Sequence, residues 1–221
     1  MLNSYRQHLL ENTELSPLQV WYDKVDASTL LENTECRKLR KKREKHLDSA
    51  QKRNAHSVLP KLTQQDQETG FRYFVDDAPL LWHPNTDEPF SQSVETFFQQ
   101  YRDSLKYDRQ VLFDRYQRSD VALKVVGVGS VGTRSAIALF QDADRDPLIL
   151  QMKEANPSIL SPLFLGKVKH EGERVIHGQQ LMQAASDIFL GFSTLEKHFH
   201  VRQLRDMKIS VDLVDMDDDY F

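Results

Sequence analysis

Cysteine is nearly missing. Cys36 is the only one in 221 residues, which excludes an intrachain disulfide and any multi-cysteine metal site. No run approaches the ~20 apolar residues that a bilayer-spanning helix needs. The opening Met1–Arg6 lacks the basic-then-apolar form of a signal peptide, so a cytoplasmic protein without a membrane partner is expected. Charge of one sign is lacking too. The balance of 29 Lys and Arg against 33 Asp and Glu leaves a net charge of −4, which makes no global case for nucleic acid or an anionic surface. No internal repeat is visible. Glycine is scarce, with eight residues, and three of the eight fall between 127 and 132.

What is there begins with that cluster. Val125-Val126-Gly127-Val128-Gly129-Ser130-Val131-Gly132-Thr133 is an apolar run entering G-x-G-x-x-G. Without a Cβ, backbone can turn successive N–H groups toward an anion. The spacing serves both dinucleotide-binding α/β folds and the phosphate-covering loop of kinases. A dinucleotide fold requires a helix opening at the third glycine. Here Ser135–Phe140 is a short apolar run closed by the turn-forming stretch Gln141–Pro147, and Leu148–Lys153 reads as another strand. Strand, glycine loop, strand, turn and a strand ending in lysine is the kinase order, with Lys153 placed to reach nucleotide phosphates. A glycine hairpin with a purely structural role is the bland alternative.

The rest of the chain sets this block in context. Residues 1–65 read as helical and polar, with Ser16-Pro17 as a helix start. The stretch 35–64 is strongly basic. Its readings are a patch for an acidic partner and, more simply, a solvated helix face or charged connector, and the lack of interleaved aromatics makes nucleic acid a poor fit. Phe71–Val75 reads as a strand. Val94, Phe97, Phe98, Tyr101, Leu105 and Leu112 recur at helical spacing and predict an amphipathic helix over 92–118. A second helix is expected over 170–187 and a strand over 199–204. His83 reads as a loop cap or as part of a packed arm. The acidic tail from Asp212 reads as solvated, with a carboxylate metal site as the sharper alternative. The expectation is an α+β chain: a helical region over 1–118, then a small, mostly antiparallel sheet with one packed helix over 119–221.

The strings KVVGVGSVGTR at 124–134, DPLILQMKEA at 146–155, GERVIHGQQLMQAASDIFLG at 172–191 and VRQLRDMK at 201–208 resemble the bacterial family called domain of unknown function 2252. That family resembles, distantly, protein and aminoglycoside kinases. The resemblance implies an ATP site with Mg in which Gly127, Gly129, Ser130 and Gly132 cover the phosphates and Lys153 pairs with them. An acid on the next helix would orient Lys153, with Glu173 the first choice and Glu171 the second. The segment 199–208 would connect to a second lobe. Family segments of the kind G-D-x-H-x-x-N-F, N-D-F-D and A-H-A-x-S-G-D, similar to the base-bearing and metal-binding loops of kinases, have no counterpart here. The resemblance therefore implies a nucleotide-binding lobe that is catalytically incomplete by itself, with the remainder of a longer protein as one partner. A non-catalytic interaction module and a dinucleotide-binding fold are the alternatives.

Overall fold

Near-continuous apolar runs in two adjacent strands, buried on both faces, build the centre of the molecule. The computed structural model describes residues 2–23, 31–32, 36–51, 55–84, 88–125, 127, 132–163, 168–183 and 185–204. Strands β4 (Gln117–Lys124), β5 (Ser135–Gln141) and β6 (Pro147–Glu154) form an antiparallel meander. Beside it lie β7 (Gly191–Thr194) and β8 (His198–Gln203), and a short β3 (Leu81–Trp82) pairs with β4. The spatial order is β3-β4-β5-β6-β8-β7, antiparallel throughout. Two helices from the N-terminal half, α5 (Glu88–Ser104) and α6 (Tyr107–Phe113), lie on one face. The other face receives α4 (Ala55–Leu62), the hairpin of β1 (Thr63–Gln65) with β2 (Arg72–Phe74), and α7 (Glu171–Met182). The fold is α+β, as expected.

Because successive strand residues point to opposite faces, each strand supplies two cores. Ala138, Phe140, Leu148, Leu150, Met152, Phe199 and Val201 meet Phe97, Phe98, Tyr101, Leu105 and Phe113 on the first face. Ile137, Leu139 and Ile149 meet Leu59, Phe74 and Leu81 on the second. Each fully buried large side chain contributes about 1.5–3 kcal/mol. The packing therefore runs across residue 118, and one sheet is shared by the helical region and the glycine-loop block.

The N-terminal helices are peripheral. In α1 (Leu2–Thr13) and α2 (Pro17–Tyr22) no side chain is buried. Ser16 opens α2 as expected: its hydroxyl accepts the Gln19 N–H at 3.3 Å, and Gln19 Oε1 accepts the Ser16 N–H at 2.9 Å. The reciprocal pair satisfies two N-terminal donors. The basic stretch forms α3 (Arg37–Gln51).

The helix expected over 92–118 is two helices. The chain leaves α5 at Ser104, and Lys106 takes an extended conformation before α6. Arg102 spans the break with a two-pronged bond to Asp114, both at 2.6 Å. Periodicity misses the break because Leu105 and Phe113 stay in the same core on either side of it. Residues 117–118 belong to β4 rather than to a helix. The helix expected over 170–187 stops at Met182, since Asp187 is occupied elsewhere: its carboxylate accepts the backbone N–H groups of Phe189 and Gln203 at 2.9 and 2.6 Å. The dinucleotide alternative required a helix at Gly132. A turn leads directly into β5 instead, and β5 pairs antiparallel with β4.

Candidate functional site

The glycine loop joins β4 to β5, and both its stems are anchored. On the entering side the Val125 N–H donates to the Leu80 carbonyl at 2.9 Å. On the leaving side the Arg134 N–H donates to Glu154 Oε2 at 3.0 Å, and the Glu154 N–H returns a bond to the Arg134 carbonyl at 2.9 Å. Arg134 also reaches Glu196 at 2.9 Å. Between these anchors Gly127 and Gly132 have φ of 36° and 81°. Among the described residues a Cβ at either would touch nothing within 4 Å, and the positive φ is what calls for glycine there. Gly129 and Ser130 lie outside the described residues.

Lys153 sits near the end of β6, half-buried, next to the residue that anchors the loop. Its register partners are Ser135 on β5 and His200 on β8. One row further along, Gln151 stands between Ile137 and Arg202. All of these residues belong to the second face, so the apolar surface over Ile137, Leu139 and Ile149 gives way to a polar strip of Ser135, Gln151, Lys153, His200 and Arg202. Burial, reinforced by the charges of Lys153 and Arg202, pushes His200 down to about 4. Its imidazole is neutral at neutral pH.

Helix α7 leans on β7 and β8 next to this strip. Its start is made by two stacked histidines, with ring centroids 4.1 Å apart. His170 Nδ1 accepts the Glu173 N–H at 3.1 Å, and His198 Nδ1 accepts the Glu171 N–H at 3.1 Å. Imidazoles thus take the place of the usual Ser or Asp cap. His170 Nε2 donates to the Thr194 hydroxyl at 2.9 Å. With Nδ1 occupied as an acceptor the ring stays neutral, and burial together with the electrostatic effect of the stacked His198 ring lowers its pKa. Gly172 makes the close approach possible, because a Cβ there would collide with the Phe199 carbonyl.

Of the two candidate acids, Glu171 is the buried one. It pairs with Arg174 at 2.6 Å, and Arg174 in turn donates to the Asn156 carbonyl at 3.0 Å, tying α7 to the exit of β6. Glu173 lies 4.0 Å from His177 on a more exposed side of the helix. The connecting segment 205–208 and the acidic tail lie outside the described residues. Among the described residues, no group of three His, Cys, Asp or Glu side chains is arranged to hold a metal ion, and no helix is long and apolar enough to cross a membrane.

Two further features stand out, the first only partly legible in the sequence and the second not at all. His83 is held between carboxylates, with Nδ1 2.8 Å from Asp76 and Nε2 3.0 Å from Asp120, and Asp120 also accepts the Phe74 N–H at 2.6 Å. Two acceptors ask both ring nitrogens to donate, which is the imidazolium form. Burial opposes that charge, but Asp120 and Asp76 outweigh it and raise the pKa. The result is a clasp between β4 and the loop leading to β3, in keeping with the loop-cap reading of His83. The polar strip with His200 and Arg202 is the second feature. It is visible only once the register of β6 against β8 is known.

The family described as an uncharacterized protein conserved in bacteria, domain of unknown function 2252 (DUF2252), matches residues 1–221. The chain belongs to that family, and the match extends beyond the strings at 124–208 over the whole chain. No curated protein and no solved structure matches it.

Proposed function

We propose that β4 to β8 with α7 form a nucleotide-binding lobe of the kinase kind, which takes ATP or ADP. One observation carries this reading: a glycine hairpin with anchored stems, a lysine strand beside it, a helix, and a second hairpin that closes the same sheet. In kinases, loop backbone and a lysine in such a succession hold the phosphates, and that likeness supports the reading. Gly127, Gly129, Ser130 and Gly132 are the proposed phosphate cover and Lys153 the charge partner. Glu173 or Glu171 is the acid proposed to orient Lys153; Glu171 is the buried one but is bonded to Arg174, and Glu173 is the more exposed. Among the described residues nothing crowds Gly127 or Gly132, which suits a ligand approaching the backbone. Magnesium would arrive with the nucleotide as a phosphate complex, its role being to neutralise phosphate charge. The proposal concerns binding and not turnover.

The test is an NMR titration of the full chain with Mg-ATP, following the amides from Gly127 to Gly132. Shifts at those amides, weakened in Lys153→Met, are expected. No perturbation at millimolar nucleotide overturns the reading. It would return the chain to the other class, an interaction module with a structural hairpin, which the exposure of Trp21, Leu181 and Met182 favours.

A further inference from the structure

Arg202 and His200 are costly residues to place on a sheet face. Among the described residues Arg202 Nε and His200 Nδ1 are both buried and have no hydrogen-bond partner. Buried donors and acceptors are matched in the large majority of cases, and an unmatched one asks for an explanation. Stability does not supply one, since an apolar side chain in either place would continue the surface of Ile137 and Ile149. Nor does a structural ion pair for Arg202 among the described residues: its partner across the strands is Gln151, and the other neighbour of Gln151 is Ile137, neither of them charged. The buried carboxylate of α7, Glu171, is bonded to Arg174. On α4, the neighbour over β6, the described face toward the sheet is Val58 and Leu59.

What the three residues share is an ability to meet an anion. Lys153 and His200 are direct cross-strand neighbours, and Arg202 follows two residues after His200 on the same face. Side chains in such positions lie roughly 5–8 Å apart, a spacing that one phosphate group or two linked ones can bridge. A guanidinium presents a planar fork that matches phosphate oxygens, while an ammonium acts as a point charge. We propose that Lys153, His200 and Arg202 form an anion site for the phosphate chain of the ligand, with Arg202 and Lys153 as charge partners and His200 as a neutral hydrogen-bond donor. Two permanent cations side by side favour a group with more than one negative charge, as in a di- or triphosphate. The depressed pKa of His200 agrees with a ring kept neutral between two cations until an anion arrives. The site rests on the nucleotide-binding reading for the source of the phosphate, but not for its chemistry.

The experiment follows the side-chain signals of His200 and Arg202 Nε, together with the Gly127 and Gly132 amides, in the full chain. Three probes are added separately: inorganic tripolyphosphate, ATP and adenosine. Tripolyphosphate and ATP are expected to shift His200 and Arg202, and adenosine to leave both unmoved. Arg202→Gln should weaken tripolyphosphate by roughly tenfold or more, the size of one charge-assisted bond. Arg202→Lys should recover part of that loss while its amide spectrum reports an intact fold. A response to tripolyphosphate at His200 and Arg202, with none to ATP anywhere, supports the anion site and overturns the nucleotide reading. Shifts at Gly127 and Gly132 with ATP, but none at His200 and Arg202 with either phosphate, overturn the anion site and leave the nucleotide reading standing. Silence at all four positions with both phosphates overturns both.

Discussion

The two faces of the sheet come from the same strands and have different chemistry. On the first face six aromatic rings from α5, α6 and the sheet pack mostly edge to face, as in Phe97 against Phe199 at 5.6 Å and Phe98 against Phe140 at 5.2 Å. Polar groups there are matched: the Tyr101 hydroxyl donates to the Phe189 carbonyl at 2.8 Å and the Ser193 hydroxyl to the Phe97 carbonyl at 2.7 Å. The second face is half apolar, then turns into a cationic strip with unmatched donors. Burial free energy organises the first face. The second gives up some of it, and departures of that kind are expected where a protein meets a ligand.

The strongest way to break this contrast is to damage the first face. Tyr101→Ala should cost about 3–5 kcal/mol in chemical denaturation, because it empties a fully buried aromatic site. Tyr101→Phe, which leaves only the Phe189 carbonyl short of a donor, should cost about 1 kcal/mol. A Tyr101→Ala loss below that of Tyr101→Phe would mean that the aromatic face is not the organising core.

Next in size is Gly172→Ala, expected to cost about 1–3 kcal/mol in the same assay, since the added methyl drives α7 off Phe199. A neutral result would show that α7 is not seated as described. Substitution on the second face should go the other way. Arg202→Leu removes an unmatched buried donor and should change stability by about 1 kcal/mol or less, in the stabilising direction. A loss comparable with Tyr101→Ala would make the strip structural and erase the difference between the faces.

The smallest effects are those of pH, and they have opposite signs at two histidines. His83 has its pKa raised by Asp120 and Asp76 against the opposing effect of burial. Its stabilisation is full below the unfolded value near 6.5 and fades as pH rises through the folded one. His170 has its pKa lowered by burial and by His198. Its cap is intact above about 6.5, and its contribution is lost as pH falls from there through the lowered folded value. His83→Gln should therefore be more damaging at pH 5.5 than at pH 8.5, and His170→Asn more damaging at pH 8.5 than at pH 5.5, both read by thermal melts. The same pH trend in both variants would contradict the assigned protonation states.

Much of the fold was legible because it is local. The runs Ser135–Phe140 and Leu148–Lys153, separated by a turn-forming stretch, could hardly be anything but a hairpin, and Ser16-Pro17 carries its own capping chemistry. The break between α5 and α6 was not legible, since apolar periodicity records which residues are buried and not which backbone bonds close. The four-residue β7 was missed for a related reason: Gly191–Thr194 has little strand character of its own and is held by pairing with β8. In the candidate site, Gly127, Gly132 and Lys153 stood out from spacing alone. His200 and Arg202 did not, because nothing in the string VRQLRDMK tells which face of a sheet its residues share with a lysine about fifty positions earlier.

The sequence by itself determined the β5–β6 hairpin, the start of α2, the glycine spacing, the lysine strand and the family, since each depends on residues near one another in the chain or on the string itself. Tertiary structure alone decided that α5 and α6 belong to the same core as the sheet, that Glu171 rather than Glu173 turns inward, and that Lys153 faces His200 beside Arg202. Those outcomes depend on register between strands distant in sequence. A shift of one residue there would have sent every side chain to the opposite face.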